Sequence, residues 1–403
     1  MTPILWTFLN AELNADENKS LRHHMPDLTT QIIRGRKEAF ELESEYRVLY
    51  DSLSCPNVYF SPEWVYTWLL SLGRSYNICF LTCRDSGTLT GVWPFFEYTQ
   101  PVFGTGLMPV GAQVADSFDP IARPDCMETM TAALIRAAED FTFIWLPLLT
   151  LDFTHKLLKP ALAEKRPRHM LRKRTPRFLI GLDHFSSYQD FLDRVFGPKT
   201  RQSLRRKERK LQEAGDSVIS FLEDPESIAP WLKKIMDLEL ASWKGEKGIG
   251  IFRSATLRSF YHLLLENLAF QNRLRLSILT IENQLAAYEI GLLGPDSYCM
   301  HTISFAPEFA SISPGRLLML RSLERCIQEK RKVYDFMQND QEFKRQMSTN
   351  ESSLWDCILF PKSIKGALVS LLIRFVHAST EWRKRRLKAK QSTSLPTKVD
   401  LVD

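Results

Sequence analysis

Two tight hairpins at corresponding places in the two halves of the chain constrain this sequence most. The first runs NICFLTC (77–83), turns at Asp85-Ser86-Gly87 and returns as TLTGVWPFFEY (88–98). The second runs RLRLSILTI (273–281), turns at Glu282-Asn283-Gln284 and returns as LAAYEIGLL (285–293). Glycine in the first turn supplies the positive φ that a tight hairpin demands. Each hairpin follows a helix bearing Trp or Tyr. In the first half Ser61 caps that helix, Pro62 takes its first position, and WVYTWLLSL runs on to Gly73. Such a pattern points to an internal duplication: two α/β halves, each with a mixed sheet flanked by helices. A length of 403 residues fits two domains at about 150 residues each.

The remaining order fills in the halves. Residues 1–35 read as a loose leader, 36–183 as the first α/β unit, 184–360 as the second, and 361–403 as a basic amphipathic tail. In the first unit, helix 36–53 precedes the hairpin, and a Gly/Pro-rich loop (101–124) follows it. Helix 125–139, strand 142–147, helix 150–163, a basic stretch (165–177) and strand 178–182 come next. The second unit opens with helix SSYQDFLDRVF, where Ser186 and Gln189 have capping-box spacing. Helix 199–215 ends at Gly215. A strand at 217–222, helices 227–243 and 256–271, the second hairpin, strand 297–305, helix 316–330 and strands 332–337 and 353–360 complete it.

The charge is unevenly placed. The chain carries +6, but residues 361–403 hold ten Lys/Arg against three Asp/Glu, which leaves −1 for residues 1–360. A nearly neutral body argues against a globally basic nucleic-acid binder. Seven scattered cysteines show no CxxC pair, as expected of buried thiols in a reducing compartment with no metal site. The first twenty residues lack a basic n-region and a long apolar core, so they do not read as a signal peptide. GALVSLLIRFV (366–376) is too short to span a bilayer. The expected compartment is the cytoplasm, with the inner membrane face as an alternative for the tail.

Phe305 to Arg331 is the segment most suited to chemistry. A strand leads through a loop to Ser313-Pro314-Gly315-Arg316 and a long helix. Unpaired N–H groups and a partial positive charge at a helix N-terminus suit a pyrophosphate. Gly315 permits close approach, and Arg316 adds a charged fork. The turn has one glycine, and Pro314 lacks an N–H.

Hairpin, third strand, glycine-containing loop, helix and further strand are the order of the GNAT core. Residues 187–360 resemble the cellulose-biosynthesis acetyltransferase family (CelD/BcsL), a GNAT branch. The resemblance rests on KTRQSLRRKERKLQEAG (199–215), ELASWKG (239–245), FYHLLLENLA (260–269), residues 285–327 and YDFMQNDQEFKRQM (334–347). FSPEWVYTWLLSLG and LTGVWPFF extend it less sharply into the first half. It implies a tandem GNAT-like fold and a bacterial-type N-acyltransferase. Such an enzyme moves an acetyl or other acyl group from acyl-CoA, without a metal, to an amine of a sugar, cell-envelope precursor or small metabolite. Carried over, the pyrophosphate turn falls on Ser313, Gly315, Arg316 and Leu317.

Direct transfer to an amine needs a base and a stabilised oxyanion. Glu289, in an otherwise apolar strand, is the candidate base, with a surface or ion-paired Glu as the alternative. His301 on the next strand is placed to meet it across the sheet, or is a buried structural histidine. Asp340 and Lys344 match the family motif after the last core strand, and serve either substrate or loop stability. Trp243, in a loop, lines the acceptor pocket or covers the core.

Two basic segments admit two readings each. Helix 199–210 holds seven Lys/Arg and one Glu. It is a solvated face or the contact for an anionic partner such as CoA phosphates, a nucleotide-sugar or RNA. The tail 366–390 lies on an anionic membrane through Leu371, Leu372, Phe375 and Trp382, or packs on the second unit. The double layout also resembles the FemAB transferases, which use aminoacyl-tRNA. A non-catalytic GNAT-fold binding module is the remaining alternative.

Overall fold

The computed structural model describes residues 27–393. Its strands are β1 (Leu28–Arg34), β2 (Ile78–Asp85), β3 (Thr88–Gln100), β4 (Gly104–Pro109), β5 (Ile121–Ala122), β6 (Ile144–Leu149), β7 (Arg168–Gly181), β8 (Ser217–Leu222), β9 (Leu274–Ile281), β10 (Gln284–Leu293), β11 (Ser297–Phe305), β12 (Val333–Gln338) and β13 (Asn350–Phe360). The α-helices of the first half are α1 (Arg36–Glu41), α2 (Glu43–Ser52), α3 (Pro62–Leu70), α4 (Met127–Ala137), α5 (Leu151–Phe153) and α6 (Lys159–Lys165). Those that follow are α7 (Tyr188–Val195), α8 (Pro198–Glu213), α9 (Pro225–Ala241), α10 (Trp243–Glu246), α11 (Ala255–Phe270), α12 (Pro314–Gln328), α13 (Glu342–Met347) and α14 (Ile364–Thr393).

Both hairpins form with two-residue left-handed turns. Ser86 and Gly87 have φ of 49° and 88°, and Glu282 and Asn283 have φ of 49° and 63°. The second turn has no glycine. The Glu282 side chain accepts a 2.6 Å bond from the Asp216 N–H, which holds the turn to the start of β8. Ser61 caps α3 as expected, accepting from the Trp64 N–H. Ser187, not Ser186, caps α7, because its Oγ reaches the Asp190 N–H.

The two sheets expected from the sequence are fused into one. Its order is β1-β2-β3-β4-β6-β13-β7-β12-β11-β10-β9-β8, with β5 on β3. The halves match strand for strand about the β13/β7 seam. Each has an outer antiparallel strand, a hairpin and a further antiparallel strand. A short parallel contact follows, β4 with β6 and β11 with β12. The mixed α/β, GNAT-like architecture stands, but the boundary at 183/184 does not divide the sheet. β7 pairs with β12 of the second half, and β13 pairs with β6 of the first.

Three local expectations are corrected. Leu28–Arg34, assigned to the leader, pairs along its whole length with β2. The stretch read as a Gly/Pro loop contains β4 and β5. The basic stretch before 178 is strand, because acids lie opposite its arginines. Arg172 and Arg174 bond the buried Asp356 carboxylate at 2.7 and 3.1 Å, and Arg177 Nε bonds Asp335 at 2.8 Å. The sequence beyond Thr393 and the first 26 residues lie outside the described residues.

Helices α3 and α11 occupy equivalent places and pack on each other across the halves. Trp64 meets Phe260 edge-on at 6.0 Å, and Asn267 bonds Thr67 at 3.0 Å. Trp64 and Phe260 are fully buried, which is worth roughly 2–3 kcal/mol each in area removed from water. A substitution at the seam tests this account. The Asp335 side chain is 2% exposed and its partner Arg177 19%. Asp335→Ala strands a nearly buried guanidinium, and urea unfolding is expected to show a loss of about 3 kcal/mol.

Candidate functional site

The site begins where β11 leaves β12. Their parallel register holds only at Ser297–Val333, Tyr298–Tyr334 and Cys299–Asp335. Beyond that point β12 is thrown outward by Met337, which has φ of 58° and donates its N–H to the Asp335 carboxylate at 2.7 Å. β11 is bulged in turn, with a register shift opposite Ile290 and Gly291 that sets His301 apart. The strands part, and β11 beyond Cys299 has no ladder partner on its β12 side. Leu148, with φ of 51°, repeats the device in the first half at the end of β6.

A cavity of about 660 Å³ fills the gap. Met300, Ile303 and Met319 line it on the α12 side, while Tyr261, Lys244 and Thr302 line it on the opposite face of the sheet. It therefore passes through the sheet. Residues of the first half, including Asp116, Trp145 and Arg174, close it.

On one side of the gap the turn into α12 forms a cationic cradle. Ser313 has φ of 60° and precedes the helix, and its carbonyl accepts from the N–H groups of Arg316 at 3.0 Å and Leu317 at 3.3 Å. Those two amides are spent, so of the amides that open α12 the Gly315 N–H is the one left without a partner among the described residues. A methyl at Gly315 would meet Phe305 at 3.4 Å, ordinary contact, so packing does not exclude alanine there. Lys207 of the basic helix α8 donates to Ser313 Oγ at 2.8 Å. Arg316 lies beside it, with Nε and Nη2 buried and unpartnered. Burial lowers the pKa of both side chains, and Arg316 lowers that of Lys207 further. Two neighbouring cations with no acid against them are costly unless an anion bridges them. This observation fits a pyrophosphate held by Lys207, Arg316, the Ser313 hydroxyl and one amide. Leu317 lies off the cavity wall, buried in the core beneath α12.

Beyond the gap lies a polar network spanning both halves. His301 shares hydrogen bonds with the hydroxyls of Tyr59 and Tyr261, both at 3.1 Å. Desolvation, aided by Lys244, pushes its pKa down to about 3, so the ring is neutral and fully occupied. Tyr59 also reaches Asp116 at 3.4 Å, and Gln338 donates to the other Asp116 oxygen. Burial raises the Asp116 carboxyl to about 6, against opposing pulls from Gln338 and Lys344. Lys344 donates to the carbonyls of Phe336 at 2.6 Å and Gln338 at 2.7 Å, and burial lowers it to about 8. Lys244 bonds Thr302 at 2.6 Å and stands 3.7 Å from the buried Glu239.

The expected residues thus divide. Ser313, Gly315, Arg316, His301, Lys344 and Trp243 share the cavity wall. Trp243, expected in a loop, opens α10 and is 36% exposed. Asp340 is exposed, pairs with Arg345 and lies off the wall. Glu289 does not meet His301. It points to the other face of the sheet, where Tyr298 donates to it at 2.5 Å and Tyr334 lies at 3.4 Å. Gly291 makes room for this, since a Cβ there would strike the Tyr298 ring at 2.1 Å. Asp116, Gln338, Lys244 and Tyr261 were not singled out from the sequence. Asp116 falls in the presumed loop, where no strand or helix period marks a side chain as facing inward.

Comparison with known proteins agrees with this geometry. Residues 198–345 match the family described as Acetyltransferase (GNAT) domain. No curated protein matches the sequence. FemX is similar in structure, with a TM-score of 0.58 over 81% of this chain and 96% of its own at 12% identity. The C-terminal domain of a protein assigned as a lysylphosphatidylglycerol synthetase from Agrobacterium fabrum gives 0.55 over 82% and 95% at 10% identity. A conserved Bacteroides thetaiotaomicron protein of unknown function gives 0.52 over 79% and 97% at 13% identity. These likenesses show the fold, and they span both halves.

Two substitutions separate structural from site roles. Desolvation raises Glu289 to about 7, above its ordinary value of 4.5. A carboxyl raised on folding binds its proton more tightly in the folded chain, so its contribution falls as pH rises from about 4.5 through 7. Glu289→Gln is therefore expected to stabilise the protein at pH 8 relative to pH 5, by on the order of 2–3 kcal/mol in urea titrations. Arg316→Met removes a half-buried cation that stacks on Phe196 but leaves Nε and Nη2 without hydrogen-bond partners. Its ligand-free melting temperature should equal or exceed the parent's, and a clear drop would mean that the guanidinium supports the fold.

Proposed function

We propose that this protein is a GNAT-type N-acyltransferase whose donor, acetyl-CoA or another acyl-CoA, binds in the second half, and whose acceptor amine enters from the far side of the sheet. The observation that carries this reading is the Arg316 guanidinium beside Lys207, with no acid against it and two buried nitrogens lacking hydrogen bonds, at the helix that opens onto the parted strands. A diphosphate at that point satisfies both cations and lets a pantetheine arm run into the gap. Within the superfamily we favour the cellulose-biosynthesis branch, because the resembling stretches fall on α8, α11, β10 through α12, and β12 through α13. An acyl-CoA donor and seven free cysteines suit the cytoplasm.

In this reading Asp116 takes the place first given to Glu289. As a carboxylate it accepts a proton from the acceptor amine. The amine nitrogen forms its bond to the acyl carbon, the carbon–sulfur bond breaks, and the departing thiolate takes a proton from water as Asp116 releases its own. Lys344, cationic at neutral pH, favours the ionised form of Asp116. His301 is a positioning residue, holding Tyr59 against Asp116 from one ring nitrogen. Of the cations on the cavity wall, Arg174 and Lys244 are already paired with Asp356 and Glu239, and Lys344 stands against Asp116. That leaves Arg253 to favour an acceptor bearing its own phosphate or carboxylate, as an amino-sugar phosphate or nucleotide-sugar does.

One observation favours the aminoacyl-tRNA reading as a second possibility. Arg205, Arg206, Arg209 and Lys210 remain exposed on α8, the helix that carries Lys207. Calorimetric titration of one sample with acetyl-CoA, CoA and an aminoacyl-tRNA decides between donors. Saturable CoA binding, weakened at least tenfold in Arg316→Met and Lys207→Ala, is expected, and binding of aminoacyl-tRNA alone would overturn the acyl-CoA assignment. With an acceptor in hand, kcat/KM should rise about tenfold per pH unit below about 6 and then level off. Asp116→Asn should abolish that limb and lower kcat roughly 10²–10⁴-fold.

A further inference from the structure

Helix α14 leaves an apolar stripe uncovered. Its inner side docks on the sheet, where Val369 and Ile373 pack with Phe143, Ile358 and Phe360. Its outer side presents Ile364, Leu368, Leu371, Leu372, Phe375 and Val376, from 37% to 83% exposed. The spacing repeats every three to four residues, so the six form one strip along the helix. Other exposed large apolar residues, such as Val48, Val102 and Phe270, are scattered over the molecule. A contiguous strip of this kind marks a contact surface.

Charge selects the occupant. Lys365 is exposed on the same helix, and the helix continues through residues 382–390, which hold six Lys/Arg and no acid. An apolar strip extended by a run of basic residues matches an anionic bilayer surface, with acyl chains beneath the strip and phosphates around the cations. Among the described residues no helix is long and apolar enough to cross a membrane, so α14 would lie in the interface.

We propose that α14 is a membrane-surface helix that docks this protein on anionic lipid. Flotation of the full chain with two kinds of vesicle tests it: pure phosphatidylcholine, and phosphatidylcholine containing about a quarter phosphatidylglycerol. Binding to the anionic vesicles alone is expected, weakened roughly tenfold or more in Leu371→Glu/Phe375→Glu. These positions lie outside the cavity wall, so CoA binding by the variant should match the parent and show that it has folded. Three results would overturn the proposal. One is no flotation with either vesicle. Another is a parent dimer that the double variant converts to monomer, since a second copy would then cover the strip. The third is binding that appears only after deletion of residues 1–26, which would make that segment the natural cover.

Discussion

The pairing of β7 with β13 holds the molecule together. The strands run antiparallel from Asn350–Leu179 to Phe360–Arg168, and each has a strand of a different half on its outer edge. Two half-sheets that could have hinged are thereby locked in one hydrogen-bonded surface. The cavity depends on that lock. Its cradle comes from α8 and α12, while Asp116 comes from the loop after β4, and a shift of an ångström between halves would part the carboxylate from Gln338. The seam is also where the arginines of β7 meet Asp356 and Asp335, so the same strand that joins the halves carries the charges that fix its neighbours.

Electrostatics divides the site into two regions with different tasks. In the cradle the cations are left without acids, and the cost of their burial is recovered only when an anion arrives. In the network around Asp116 both carboxyl oxygens and both His301 ring nitrogens already have partners, and the Asp116 carboxyl is one that burial pushes towards its neutral form. His301 belongs to the second region. With both ring nitrogens bonded to tyrosines and its charged form suppressed by burial, it orders the groups around it. Glu289 is enclosed by Tyr298 and Tyr334 beneath the sheet and braces β10 against β12.

Much of the fold is legible in the sequence because local chemistry dictates it. Left-handed turns, the Ser61 cap and strand alternation place both hairpins and nearly every helix without reference to the rest of the chain. What escapes is non-local. β4 is short and glycine-flanked, and β7 is crowded with arginine, so neither reads as a strand until the acids and edges that stabilise it are known. The site divides on the same line. Ser313, Gly315 and Arg316 are legible because one turn and one helix create the cradle. Lys207 was visible only as one of several cations on α8, and Asp116 not at all, because each acquires its role from a segment far away in sequence. Glu289 does not meet His301, because an acid in an apolar strand signals burial with partners and does not say which face of the sheet it occupies.

The shared seam has a consequence for how the chain reaches this state. β7 emerges from the ribosome long before β13, with nearly the whole second half still to be made. Until the final strand arrives, the partly built sheet exposes an unpaired, arginine-studded edge. Closure is thus among the last events, and it joins segments distant in the chain, the kind of step that slows folding and leaves nascent protein open to mispairing. The positive charges along that waiting edge act as a built-in guard, repelling a second copy of the same strand until the acid-bearing β13 supplies the match.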